Sequence, residues 1–157
     1  MKMKIYIETS FISYLVGRRS KNLVLAAYQE LSQEWWEKRS GKYDLFSSQI
    51  TFNEASIGDP EVSQKRLEIL QKIPFITITS EVIELSEKII NSGVIPKKAT
   101  PDALHISIAT VFGMDFLLTW NCRHIANATI QKIISQICLS SGFEMPTICT
   151  PIELLGG

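Results

Sequence analysis

Five short segments rich in β-branched, aromatic and other apolar residues alternate along the chain with helical stretches, and this alternation restricts the fold more than any other feature. The strand candidates are 5–7, 43–46, 75–78, 115–120 and 147–149. Between the first two, Thr9 or Ser10 can cap a helix through Phe11, Ile12, Tyr14 and Leu15 that Gly17 stops. Over 22–39, apolar Leu23, Ala26, Ala27, Leu31 and Trp35 recur at amphipathic helical spacing, and Gly41 ends that helix. Further helices are expected over 51–57, 61–73, 80–90, 100–112 and 129–139, with one turn over 151–155. The start Thr100-Pro101-Asp102 is the clearest: a cap, a proline at the first helical position and an acid in the first turn. The stretch 91–99 reads as a loop within the same domain. Strands alternating with helices predict an α/β fold, a parallel sheet with helices on both faces, in one domain over 1–157. A chain of this length buries about 70% of its unfolded surface, so no disulfide or structural metal is needed.

In an open parallel sheet, residues just past the carboxyl ends of the strands line one crevice. Glu8 follows the first strand and Asn121 follows the fourth, while Glu54 and Asp102 sit in the segments Thr51-Phe52-Asn53-Glu54 and Pro101-Asp102-Ala103-Leu104-His105. Oxygen ligands gathered in such a crevice suit a hard cation such as Mg²⁺. Metal-assisted cleavage of a phosphodiester is the chemistry that this combination suggests.

Each of these residues also has a purely structural reading. Glu8 can be a solvated loop acid, and Thr9 and Ser10 can be helix caps rather than groups that orient water or a ligand. Thr51 and Glu54 match a capping box, in which the acid bonds only the start of its own helix. Asp102 stabilises a helix start through the dipole whether or not it does chemistry. His105 shares a helical face with Asp102, and a histidine among Leu104, Ile106 and Ile108 is more often hydrogen-bonded structure than a ligand. Arg123, His124 and Asn127 either hold a phosphate backbone or form a solvated loop. Trp35 and Trp36 read as helix packing rather than base stacking, or one or both as part of a subunit contact. Arg18, Arg19, Lys21 and the pair Lys97-Lys98 are the only basic clusters near the expected crevice.

Sixteen basic residues balance sixteen acidic ones, which argues against a protein that coats nucleic acid electrostatically but not against a metal-dependent nuclease. Three widely spaced cysteines, Cys122, Cys138 and Cys149, fit neither a disulfide framework nor a zinc site and point to a reducing cytoplasm. No secretory leader is expected at the start, and no stretch approaches the roughly 18 apolar residues of a membrane span. Phosphate-loop, dinucleotide-turn and serine-elbow motifs are missing, which removes support from nucleotide-dependent and serine-hydrolase readings.

Ile5-Tyr6-Ile7-Glu8-Thr9-Ser10, Pro101-Asp102-Ala103-Leu104-His105 and Leu117-Leu118-Thr119-Trp120-Asn121 together resemble the PIN domain, most closely the VapC-type toxins of bacterial toxin–antitoxin pairs. The likeness extends in order and spacing over essentially the whole chain. It implies a three-layer fold with strand order 3-2-1-4-5, and endoribonuclease activity dependent on Mg²⁺ or Mn²⁺. It also implies an RNA substrate, a cognate antitoxin and a homodimer. Carried over position by position, the acids fall on Glu8, Glu54 and Asp102, and a fourth, usually acidic, position falls on Asn121. Glu8, Asp102 and Asn121 are then the expected metal ligands, with Thr9, Ser10, Thr119 and Arg123 in support. Two departures stand out: the first acid is glutamate rather than aspartate, and Asn121 is neutral. A PIN-like module that binds RNA or protein without cleaving is therefore a rival. A flavodoxin-like or response-regulator-like domain is another, but 77–80 supplies no phosphorylatable acid at the end of the third strand.

Overall fold

The structure, a computed structural model, describes residues 1–156. Its strands are β1 (Met3–Ile7), β2 (Tyr43–Ser48), β3 (Phe75–Ile76), β4 (Phe116–Leu118) and β5 (Thr147–Cys149). The helices are α1 (Thr9–Val16), α2 (Leu23–Lys38), α3 (Gln49–Ala55), α4 (Pro60–Leu70), α5 (Ser80–Asn91), α6 (Thr100–Val111), α7 (Ala128–Ser140) and α8 (Pro151–Leu155). Short 3₁₀ turns at Ser40–Lys42 and Lys97–Ala99 precede β2 and α6. All strand pairs are parallel, in the order β3-β2-β1-β4-β5. The expected α/β class, the helices on both faces and the strand order are all present.

Alternation along β1 divides the core in two. Tyr6 faces one cluster with Val82, Leu85 and Ile89 of α5, Ala103 and Ile106 of α6, and Ile134 and Cys138 of α7. Ile5 and Ile7 face the other, with Phe11, Ile12 and Leu15 of α1, Trp35 of α2, Leu70 of α4 and Leu154 of α8. A period-2 strand buried on both faces requires this arrangement. Trp35 is fully buried in helix packing, and Trp36, partly buried, packs against the same cluster.

Local chemistry sets the element ends, and several differ from expectation. The cap of α1 is Glu8, whose side chain accepts from the Ser10 N–H, so Thr9 and Ser10 lie inside the helix. Thr51 is also inside its helix, because α3 begins after Ser48, and the capping box of Thr51 with Glu54 does not form. Thr100 is the first residue of α6, and its hydroxyl bonds back to the Lys97 carbonyl at 2.6 Å. Asp59 caps α4, with Pro60 in its first turn. Gly113 follows α6 at φ +66°, the left-handed conformation that glycine adopts without a Cβ penalty. Gly17 has ordinary φ, but a Cβ there would stand 2.7 Å from the Ser13 carbonyl oxygen. Close approach, rather than handedness, calls for glycine at that position.

Candidate metal centre

β1 and β4 lie side by side, with Ile7 opposite Leu118, and the chain past each strand enters one crevice. Glu8 comes next on β1 and is only 4% exposed. Its backbone N–H continues the sheet by donating to the Leu118 carbonyl at 3.1 Å. Its Oε1 accepts from the Ser10 hydroxyl and the Thr119 hydroxyl, each at 2.5 Å, and its Oε2 accepts from the Ser10 N–H at 3.1 Å. These hydroxyls are themselves held: Ser10 Oγ accepts from the Trp120 N–H at 2.7 Å, and Thr119 Oγ1 from the Asn121 N–H at 2.9 Å. Each hydroxyl has one proton, and both protons are directed at Glu8. The carboxylate is thus buried, satisfied and fixed in orientation, not a solvated loop acid.

Glu54 reaches the same place from α3. Its Oε1 accepts from the Thr9 hydroxyl at 2.5 Å and meets His105 Nε2 at 2.7 Å. His105 projects from α6 and is completely buried. Its Nδ1 lies 2.7 Å from the Tyr6 hydroxyl, which in turn lies 2.7 Å from Ser48 Oγ and 3.4 Å from Thr51 Oγ1. One ligand atom from each of Glu8, Glu54 and His105 falls within 4.8 Å of the others.

The electrostatics follow from this packing. Burial pushes the His105 imidazole towards its neutral form, but the Tyr6 oxygen, the hydrogen bond to Glu54 and the charges of Glu8 and Glu54 outweigh it. The result is a pKa raised from 6.5 to about 10. Burial likewise pushes Glu54 up, yet the hydrogen bond and charge of His105 and the Thr9 hydroxyl hold it below the usual 4.5. Glu54 and His105 therefore form an ion pair in the cation-free protein, with Glu8 as the second negative charge.

The other expected ligands, Asp102 and Asn121, have hydrogen-bond partners of their own. Asp102 sits one helical turn before His105 on the same face of α6, and its Oδ2 is 3.0 Å from His124 Nδ1. Both side chains are less than a fifth exposed, at 17% and 18%. Asn121 turns its Oδ1 to the N–H groups of Arg123 and His124, at 3.2 and 3.1 Å. Its carbonyl accepts from Ala126 at 2.7 Å. Asn121 thereby shapes the loop that presents His124 to Asp102. Arg123 is exposed, and Asn127 caps α7 through the Thr129 N–H. Of the basic clusters, Arg18 is engaged by Asp59 and Glu61, and Arg19 lies 3.9 Å from Glu30. Lys97 and Lys98 are exposed beside the start of α6.

Three residues have a larger part than their sequence context indicates. His105 belongs to the cluster itself, and Tyr6, an aromatic hydroxyl between two isoleucines, orients it. His124, open between a phosphate contact and a solvated loop in the sequence, is the partner of Asp102. The signal for Tyr6 is present in Ile5-Tyr6-Ile7, because a hydroxyl on a strand buried on both faces needs a buried partner.

No protein-family model matches the chain, and no match to a curated protein is found. The site therefore stands on its own donors. Two carboxylates and an imidazole, converging at the carboxyl ends of a parallel sheet, form a set that can hold a divalent cation.

Proposed function

We propose that the protein is a metal-dependent endoribonuclease of the PIN type, acting as the toxin of a toxin–antitoxin pair. The observation that carries this reading is the convergence of Glu8, Glu54 and His105 within 4.8 Å at the crevice between β1 and β4. Glu8 and Glu54 hold a divalent cation, Mg²⁺ or Mn²⁺ in the PIN pattern. That cation, when bound, supplies Lewis-acid polarisation of a phosphate oxygen and a lowered pKa for its water. The chain's own residues do the positioning. Ser10 and Thr119 fix the Glu8 carboxylate, and Thr9 fixes Glu54. Asp102 and His124 border the centre, with Asn121 holding their loop. Exposed Lys97, Lys98 and Arg123 attract the RNA backbone, a small positive rim on a chain of zero net charge.

The test is cleavage of a generic RNA by purified protein with Mg²⁺ or Mn²⁺ and with a chelator. Cleavage should require the cation, and Glu8→Gln or Glu54→Gln should each lower it by on the order of 100-fold. Equal cleavage in the chelator, or by both variants, contradicts the reading. Within it, the partners are a second copy of the chain and a small antitoxin that occupies the crevice. Co-expression with the product of an adjacent small reading frame should then suppress the cleavage.

A further inference from the structure

We propose that His105 is itself a ligand, making this a mixed imidazole–carboxylate centre that takes a borderline transition-metal dication such as Zn²⁺ or Co²⁺ in preference to Mg²⁺, with the Tyr6 hydroxyl aiming Nε2. The inference rests on the metal-centre reading above and specifies which cation that centre selects.

The imidazole is already set for this role. Its Nε2 points at Glu54, and its Nδ1 is held by Tyr6 at 2.7 Å. Metal-binding histidines almost always engage an outer partner through the nitrogen that does not bind the metal, which fixes ring and tautomer. With Nε2 on the metal, Nδ1–H would donate to the Tyr6 oxygen at 2.7 Å, and the Tyr6 hydroxyl could donate in turn to Ser48 Oγ, 2.7 Å away. Both contacts lie in the closed interior, since His105, Tyr6 and Ser48 are each fully buried. The ring is therefore held in place, while Glu54 Oε1, 2.7 Å from Nε2, shifts aside to admit the ion between them. The Nε2 proton leaves as well, as it does whenever a histidine is metallated.

The donor set then discriminates among cations. Mg²⁺ takes oxygen ligands in strict octahedral geometry and retains much of its water. An imidazole nitrogen adds little for it but favours Zn²⁺, Co²⁺ and Ni²⁺. Two carboxylates and one imidazole also leave coordination positions open, the condition of a catalytic rather than a closed structural site. Tyr6 acts through His105 and is a positioning residue.

The experiment titrates metal-free protein with Zn²⁺, Co²⁺ and Mg²⁺ by calorimetry and follows the histidine side-chain ¹⁵N resonances with Zn²⁺. Wild type should bind Zn²⁺ and Co²⁺ more tightly than Mg²⁺, and the His105 Nε2 resonance should move on Zn²⁺ addition while Nδ1 stays protonated. Tyr6→Phe keeps the ring in the core and should weaken Zn²⁺ and Co²⁺ by about 10- to 100-fold, leaving Mg²⁺ nearly unchanged. A loss of packing alone would weaken all three cations alike. Equal affinities with an unmoved His105 resonance overturn the inference but leave a carboxylate-only centre standing. Zn²⁺ that moves His124 instead also overturns it. Failure of every cation to bind overturns the metal-centre reading together with it.

Discussion

At the residue scale, the dominant fact is that Glu54 and His105 need each other when no cation is present. Glu54 is held below 4.5, so its contribution to stability is present above that pH and is lost as pH falls through the depressed value. His105 is raised from 6.5 to about 10, so its contribution is complete below pH 6.5 and fades as pH rises towards 10. Thermal melts in chelator should therefore peak between pH 4.5 and 6.5 and decline on the alkaline side. Glu54→Gln removes the charge opposite a buried imidazolium and should cost about 1–3 kcal/mol at neutral pH. It should also make the alkaline decline shallower, but not abolish it, because Glu8 and Tyr6 still act on His105. A melting profile flat from pH 5 to 9 would refute the ion pair. Asn121 behaves differently. Its oxygen is occupied by two backbone N–H groups, which a carboxylate accepts equally well. Asn121→Asp should leave chelator-treated stability within about 0.5 kcal/mol. A large stabilisation by metal, seen only in that variant, would instead place the side chain among the ligands.

At the element scale, what positions the site is the junction of α1, α2 and the segment after β4. Trp120 stacks on Tyr28 with ring centroids 4.1 Å apart and donates its indole N–H to Ser32 at 2.7 Å. Tyr14 of α1 packs edge-on to both rings, at 5.6 and 6.2 Å. The same Trp120 donates its backbone N–H to Ser10, which orients Glu8, so the aromatic cluster and the carboxylate share one scaffold. Ser32→Ala should leave a buried indole N–H without a partner and cost about 1–3 kcal/mol, measured by denaturant unfolding. Unchanged stability would show that the bond is not formed in solution. This junction also separates what the sequence reveals from what it hides. Helix periodicity and stop glycines locate α2, α5 and α7, and the alternation of elements predicts the parallel sheet, because these signals are local. Glu8 as a site residue is legible for the same reason: it directly follows an apolar strand. The meeting of Tyr6 with His105 spans 99 positions in the chain, and that of Glu54 with Thr9 spans 45, so no local pattern carries either. Thr51 and Glu54 mimic a capping box because spacing alone does not show that α3 had already begun at Gln49. His124 is hidden likewise, since its partner Asp102 lies 22 residues back, across β4.

At the scale of the whole molecule, two hydrophobic cores clamp a five-stranded sheet, and the Glu8, Glu54 and His105 cluster lies at its carboxyl end. β1 is central and buried on both faces, and it delivers Tyr6 to one core while its next residue, Glu8, enters the crevice. No helix among the described residues is long and apolar enough to cross a membrane. The charge balance of sixteen against sixteen provides no broad electrostatic field, so under the proposed ribonuclease reading RNA is captured locally. Binding to such a chain should fall only gently with salt, with a slope reflecting few phosphate contacts rather than many. The central proposal is a divalent cation held at Glu8, Glu54 and His105. The direct measurement is a Mn²⁺ titration followed by paramagnetic broadening of backbone amide resonances. Broadening should appear first at Glu8, Glu54 and His105, spread to Ser10 and Thr119, and vanish when Glu8→Gln and Glu54→Gln are combined. Broadening centred elsewhere, or equal in that double variant, would contradict that proposal.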